Sequence, residues 1–130
     1  MIANKRGVMY CAACEDGPHW RLPVRARVKP RPLVAVRGGH TRMPEGYMAW
    51  RELIRAYIFT PEQPRTGPLR MAILFRFKRK GAGDVDNLAG GIMDAFNGVI
   101  YQDDKQIEQL DVAIERHTER DEIEVSIWAL

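Results

Sequence analysis

Only two cysteines occur in the 130 residues, both inside one C-x-x-C at Cys11 to Cys14. That is too few for a disulfide framework. No stretch approaches the roughly 18 consecutive apolar residues of a membrane span. The opening MIANKRGVMYCAACEDG has no apolar core of the kind that marks a secretory signal. Together these absences lead to the expectation of an intracellular, cytoplasmic protein with no membrane segment. The C-x-x-C is also short of partners for zinc. His19 follows five residues on and His40 is a remote further donor, whereas structural zinc takes four ligands, so no zinc centre is assigned. Internal repeats and low-complexity tracts are missing too. The length suits one domain, and a composition 45% hydrophobic supplies one small core.

Acid is scarce in one part of the chain and base in another. Residues 19–80 hold fifteen Lys/Arg against three Glu, a net +12, while residues 81–130 hold three Lys/Arg against twelve Asp/Glu, a net −9. The overall +3 hides this division. A concentrated basic excess predicts a polyanionic partner. Carboxylates facing such a partner repel it, and a divalent cation is the obvious remedy.

Residues 1–18 read as a flexible extension bounded by Gly17-Pro18, leaving a domain over 19–130. Leu22, Val24, Ala26 and Val28 alternate with Arg21, Arg25, Arg27 and Lys29, which predicts a strand with one apolar and one basic face; Pro23 marks it as an edge. After the basic loop Arg37–Gly46, a helix is expected from about Pro44, with Tyr47, Trp50, Leu53, Ile54, Tyr57 and Ile58 on one stripe. Its aromatics are expected to pack in the core rather than to stack on bases. A second strand runs through Leu69, Met71, Ile73, Phe75 and Phe77. A helix over Asn87 to Asn97 follows, with Asp86 or Asn87 as N-cap and Gly98 as stop, although Gly90-Gly91 in its middle costs about 1 kcal/mol each relative to Ala. Leu110, Val112 and Ile114, then Ile123, Val125 and Ile127, predict two last strands joined as a terminal hairpin. The order β-α-β-α-β-β implies an α+β fold, a small mixed sheet with two main helices.

The stretch GDVDNLAGGIMDAFNGVIYQDD, Gly83 to Asp104, carries five aspartates and no basic residue. If Asp84 and Asp86 lie on an extended segment, they point the same way. Should the chain fold back after Gly98, Asp103 and Asp104 would return toward them. Such hard oxygen donors suit Mg²⁺, with Mn²⁺ as an alternative. Divalent metal beside a basic surface points to phosphodiester chemistry. A D-x-D-N taken alone is more readily a helix cap and turn.

Taken together, D-V-D-N-L at Asp84 to Leu88, D-A-F-N-G at Asp94 to Gly98 and Y-Q-D-D-K-Q-I at Tyr101 to Ile107 resemble the RusA family of Holliday junction resolvases. K-P-R-P at Lys29 to Pro32 and R-M-P-E-G-Y-M-A-W before the first helix resemble that family's basic half, so the similarity spans roughly residues 20 to 128. The resemblance implies a homodimeric, Mg²⁺-dependent endonuclease that acts on four-way or branched DNA in recombination and repair, common on phages and prophages and working in a bacterial or phage-infected cell. It places the essential carboxylates at Asp84, Asp86 and Asp104, and acidic positions of less defined role at Asp103 and Asp94. One departure concerns lysine. Where the family carries lysines, this chain has Gly90 and Ile114. Lys105 beside Asp104, or else Lys80, is the nearest substitute in sequence, and Gly90 would let a DNA backbone approach closely.

Phosphate contacts are expected from Arg25, Arg27, Lys29, Arg31, Arg37, Arg42, Arg76, Lys78, Arg79 and Lys80. One rival is a branched-DNA-binding protein of the same fold that cuts weakly or not at all because Gly90 replaces the lysine. Another is a basic RNA-binding or structural protein whose aspartates only form turns. The basic excess predicts junction binding that weakens steeply with salt. A titration from 50 to 200 mM salt should cost about 10³-fold or more in affinity if several phosphates are held, and a flat response would remove the polyanion expectation.

Overall fold

The strand expected from Leu69 to Phe77 forms over those nine residues, and the sheet is built around it. In the computed structural model the main elements run β1 (His19–Leu22), α1 (Glu45–Tyr57), β2 (Leu69–Phe77), α2 (Val85–Phe96), β3 (Ile107–Arg116) and β4 (Glu122–Ala129). Residues 19–31, 43–58 and 63–130 are described in full. Beyond these, only the pairing of Ile2–Ala3 with Met9–Tyr10 and of Leu33–Val34 with Thr41–Arg42 is described. Cys11, Cys14, Arg37, His40 and the side chain of Arg42 therefore lie outside the described residues. Among the described residues no helix is long and apolar enough to cross a membrane.

The α+β expectation and its element order hold, and the sheet is mixed, in the order β1-β4-β2-β3. β2 pairs with β3 in parallel and with β4 antiparallel. The expected terminal hairpin does not form. β2-α2-β3 is a crossover unit, so β3 arrives parallel to β2 on one flank, and β4 inserts on the other flank, between β2 and β1. The link 117–121 spans the end of β2 instead of closing a hairpin. Thr118 N–H donates to Phe77 O (2.9 Å), His117 N–H to Arg79 O (3.3 Å), and Asp121 Oδ1 accepts from Lys78 N–H (2.9 Å).

One sheet face is apolar and covered. Leu69, Met71, Ile73, Phe75 and Phe77 of β2, with Ile123, Val125 and Ile127 of β4 and Trp20 and Leu22 of β1, are buried against Tyr47, Trp50 and Ile54 of α1 and Leu88, Ile92, Ala95 and Phe96 of α2. Burial of each large side chain here is worth about 1.5–3 kcal/mol. The rings of Trp20 and Phe96 meet edge to face at 5.2 Å. Of the helix aromatics expected in the core, Tyr47 and Trp50 are buried and Tyr57 packs against it partly buried, while Trp20, for which core packing was not predicted, is fully buried as well. Leu53 departs from the helix stripe and is 46% exposed. The first strand is shorter than its pattern. Burial continues to alternate through Ala26, but ladder pairing stops at Leu22 because Pro23 has no N–H to give. β1 is an edge, as Pro23 implied.

The other face carries cross-strand ion pairs. Arg76 reaches Glu122 (2.7 Å), Glu124 (2.9 Å) and Glu115 (3.3 Å), Arg21 reaches Glu124 (2.8 Å), and Arg70 reaches Asp111 (2.8 Å). His19 meets Ser126 at 2.6 Å and Glu124 at 3.4 Å. Burial works to raise the Glu124 carboxyl, yet hydrogen bonds from Arg21 and Arg76 outweigh it and hold the group below its ordinary value. A carboxyl lowered on folding stabilises the fold above its unfolded value, and that contribution fades as pH falls through its folded value. Glu124→Gln should therefore cost about 1–2 kcal/mol at pH 7 in a denaturant titration. The gap to the parent should narrow once pH drops below about 4.5, and a gap independent of pH would contradict this account.

Candidate active site on the second helix

α2 begins earlier than its sequence suggested. Asp84, in extended conformation, holds the N-cap position, and Asp86 already lies in the first helical turn. The two are therefore not neighbours on one extended segment. The apolar positions Leu88, Ile92 and Phe96 fix which face of α2 turns inward, and this leaves Asp86, Gly90 and Asp94 along the opposite stripe, spaced four residues apart, with Asp86 exposed and Gly90 and Asp94 partly covered. α2 ends at Phe96, and Gly98 takes a positive φ of 76° in the turn that follows.

The extended segment Arg25–Lys29 crosses α2 at its two glycines. A Cβ on Gly91 would stand 2.8 Å from Arg27 O, whereas one on Gly90 would stand 3.7 Å from Lys29 Cβ and 3.8 Å from Lys29 Cδ. The crossing is tied by Lys29 N–H to Asn87 O (3.1 Å) and by Trp50 Nε1–H to Arg25 O (2.9 Å). Lys29, from the chain's own basic segment, sits beside Gly90. Beside it a cleft of 420 Å³ is lined by Arg25, Ala26, Arg27, Val28, Trp50, Ala82 and Gly83, next in the chain to Asp84.

The second acidic pair is placed by a short turn. Asp103 caps a 3-10 turn, Asp104–Gln106, by accepting the Lys105 N–H (2.9 Å). Gln106 Oε1 accepts from Asp103 N–H (3.0 Å), and Gln106 Nε2 donates to Arg65 O (2.9 Å) and Gly67 O (3.0 Å). Gln106 is a positioning residue that was not singled out in the sequence. The D-x-x-Q spacing of a capping box was the available signal. The Lys105 N–H holds the Asp103 carboxyl below its ordinary value. Partial burial, a hydrogen bond with Asp103 and the charges of Asp103 and Asp94 push Asp104 up, while Lys29 pulls it down.

Asp94 is anchored. Its Oδ2 accepts from Tyr47 O–H (2.7 Å) and Arg51 Nη1–H (3.3 Å), and its Oδ1 lies 4.0 Å from Lys29 Nζ. Burial first, then the bond to Asp94, raises the Tyr47 hydroxyl. Arg55 donates to the carbonyls of Ala95 (2.9 Å) and Asn97 (3.3 Å), where it complements the C-terminal end of α2. Tyr47, Arg51 and Arg55 were missed as site supports because their partners lie on another helix, and no local pattern encodes that.

The carboxylates that act on Asp104 are thus Asp103 and Asp94. Asp84 and Asp86 stand at the far end of the stripe, with Asp86 about 12 Å along the helix axis from Asp94. Among the described residues no group of three His, Cys, Asp or Glu side chains is placed to hold a metal ion. Of the expected phosphate contacts, Arg25, Arg27, Arg31, Lys78, Arg79 and Lys80 are exposed. Arg76 is engaged by three glutamates on the opposite sheet face. Lys105 is exposed, and the backbone oxygen of Lys80 accepts from Arg116.

Residues 23–128 match the family model for Endodeoxyribonuclease RusA. No individual curated protein matches the chain.

The glycine crossing makes neighbouring positions respond in opposite ways. Gly91→Ala forces Cβ into the Arg27 carbonyl and should cost about 1–3 kcal/mol by chemical denaturation. Gly90→Ala meets only ordinary contact in a helix interior and should stabilise by up to about 1 kcal/mol. Equal effects at both positions would contradict the described crossing.

Proposed function

The chain belongs to the RusA family of endodeoxyribonucleases, which act on Holliday junctions, and from that premise we propose that it resolves four-way DNA by paired, Mg²⁺-dependent nicks as a homodimer in recombination and repair. The observation that carries the reading is the crowded Asp103–Asp104 pair at one end of an outward acidic stripe, with the basic segment Arg25–Arg31 running alongside. The donor chemistry fits a hard divalent cation. The donors are carboxylate oxygens, and Asp104, lifted by partial burial first and then by the hydrogen bond and charge of Asp103, sits where a cation would relieve the crowding. The resemblance assigns the ion to Asp84, Asp86 and Asp104 with Asp103 in support; as folded, no three carboxylates among the described residues are placed on one ion, so Asp84 and Asp86 would have to draw toward Asp104 to hold it. Once bound, a divalent cation would polarise a phosphoryl oxygen, activate water and stabilise the departing oxygen.

The protein's own contributions are positional. Arg25, Arg27 and Arg31, with Lys78, Arg79 and Lys80, grip backbone phosphates on several arms, so recognition rests on junction shape more than on base edges. Gln106 and Tyr101 hold the Asp103–Asp104 turn; the Tyr101 hydroxyl donates to Met93 O (2.6 Å) from a buried position. Asp94, held by Tyr47 and Arg51, fixes α1 against the stripe. Hydrolysis forms one P–O bond to water and breaks one backbone P–O bond, so no redox partner is needed. A twofold dimer would present two such sites to opposed strands. The resemblance also favours a phage or prophage setting.

The test is a synthetic four-way junction with each strand end-labelled. Paired symmetric nicks are expected with Mg²⁺ and none with EDTA. Asp86→Asn and Asp104→Asn should each lose at least about a hundredfold in rate while still binding the junction, since even outer-shell changes around a metal cost ten- to a hundredfold. Tight junction binding without any cut in Mg²⁺ or Mn²⁺ would favour the branched-DNA-binding alternative. Equal affinity for linear duplex with no metal response would remove both.

A further inference from the structure

The cations nearest the acidic turn in sequence are Lys105 and Lys80, but the fold brings another one to the stripe. Lys29 enters from the extended segment before α1. Its backbone N–H is fixed to Asn87 O in the first turn of α2 (3.1 Å), and its stem lies against the bare backbone of Gly90, where a Cβ would meet Lys29 Cβ at 3.7 Å and Cδ at 3.8 Å. The ammonium then comes to 4.0 Å from Asp94 Oδ1. This contact is loose. Asp94 already has shorter partners on its other oxygen, Tyr47 at 2.7 Å and Arg51 at 3.3 Å, so Lys29 is not what neutralises it. The Lys29 side chain is 42% exposed, which leaves the ammonium open to a ligand. Its charge also reaches Asp104, where it opposes the crowding by Asp103 and Asp94. A cation buttressed along its stem, only loosely paired and set among the carboxylates has the properties of a group waiting for an anion.

We propose that Lys29 is a catalytic residue of the junction nuclease, its ammonium touching the phosphate being cut and stabilising the negative charge that develops on its oxygens. No covalent bond to Lys29 Nζ forms; the ammonium donates hydrogen bonds and keeps its protons. The proposal rests on the nuclease reading above and deepens it. The stem of this lysine, supplied from elsewhere in the fold, runs beside Gly90.

The experiment compares wild type, Lys29→Met, Lys29→Arg and the double variant Lys29→Met/Gly90→Lys on a labelled four-way junction with Mg²⁺. It measures single-turnover rate at saturating protein, junction affinity and thermal midpoint. Methionine retains most of the stem and removes the charge. Lys29→Met should cut about 10²-fold or more slowly at saturation, while affinity falls less than about tenfold, as for the loss of one phosphate contact among several. The double variant raises an ammonium from α2 into the space beside residue 29 and should recover at least about tenfold over Lys29→Met; Lys29→Arg should fall between. A Lys29→Met rate within threefold of wild type overturns the proposal. So does a loss confined to affinity, which would make Lys29 a phosphate anchor only, or a lowered thermal midpoint with no recovery in the double variant, which would make it structural. If the wild type itself leaves the junction uncut, the nuclease reading fails first and Lys29 falls with it.

Discussion

The contact on which this molecule depends is a backbone crossing. The extended segment Arg25–Lys29 passes so close to α2 that the Arg27 carbonyl occupies the space a side chain at residue 91 would need. Only glycine permits that distance, and two in succession weaken the helix they sit in. The loss is offset by the Lys29–Asn87 backbone bond, the Trp50–Arg25 bond and the burial of Trp50 beneath the crossing. Without it, basic residues from one end of the domain would not lie along the acidic stripe of α2. The same contact therefore packs the core and assembles the candidate site.

Charge is arranged by the sheet as much as by any ligand. The division of the sequence into a basic part and an acidic part looked like two surfaces in conflict. Much of it closes internally. Glu115 of β3 and Glu122 of β4 lie across from Arg76 in register, Glu124 lies across from Arg21, and Asp111 meets Arg70 diagonally, all on the sheet face opposite the two helices. What remains for a polyanion is a smaller set: the exposed cations of the 25–31 segment and of the turn after β2. The acidic stripe and the Asp103–Asp104 turn stay outside these sheet pairings. Arg21, Arg70 and Arg76, which count toward the basic excess, are engaged by the sheet's own carboxylates.

The element pattern was legible because alternation and helical spacing are local. Met71, Ile73 and Phe75 specified a half-buried strand, and Tyr47, Trp50 and Ile54 specified a helix face, wherever those elements came to rest. Pro23 marked an edge for the simple reason that it cannot donate. Strand pairing was not legible. A short polar link between two apolar alternations usually means a hairpin, and nothing within 117–121 reveals that β2 stands between its ends. Helix bounds were misread for a related reason: Asp84 serves as N-cap position without a side-chain bond, so the first turn carried no sharper signal than the cap residues two and three places later.

By itself, the sequence determined the α+β class, the buried faces and the family resemblance, because each of these is written in residue type at short spacing. Tertiary structure alone decided the strand order, which arginines are already paired, that Asp104 is crowded by Asp103 and Asp94, and that Lys29 rather than a sequence neighbour lies over Gly90. Those outcomes depend on groups far apart in the chain meeting at a few ångströms. Such meetings are set by how the sheet and the glycine crossing close, and no short window of residues carries that information.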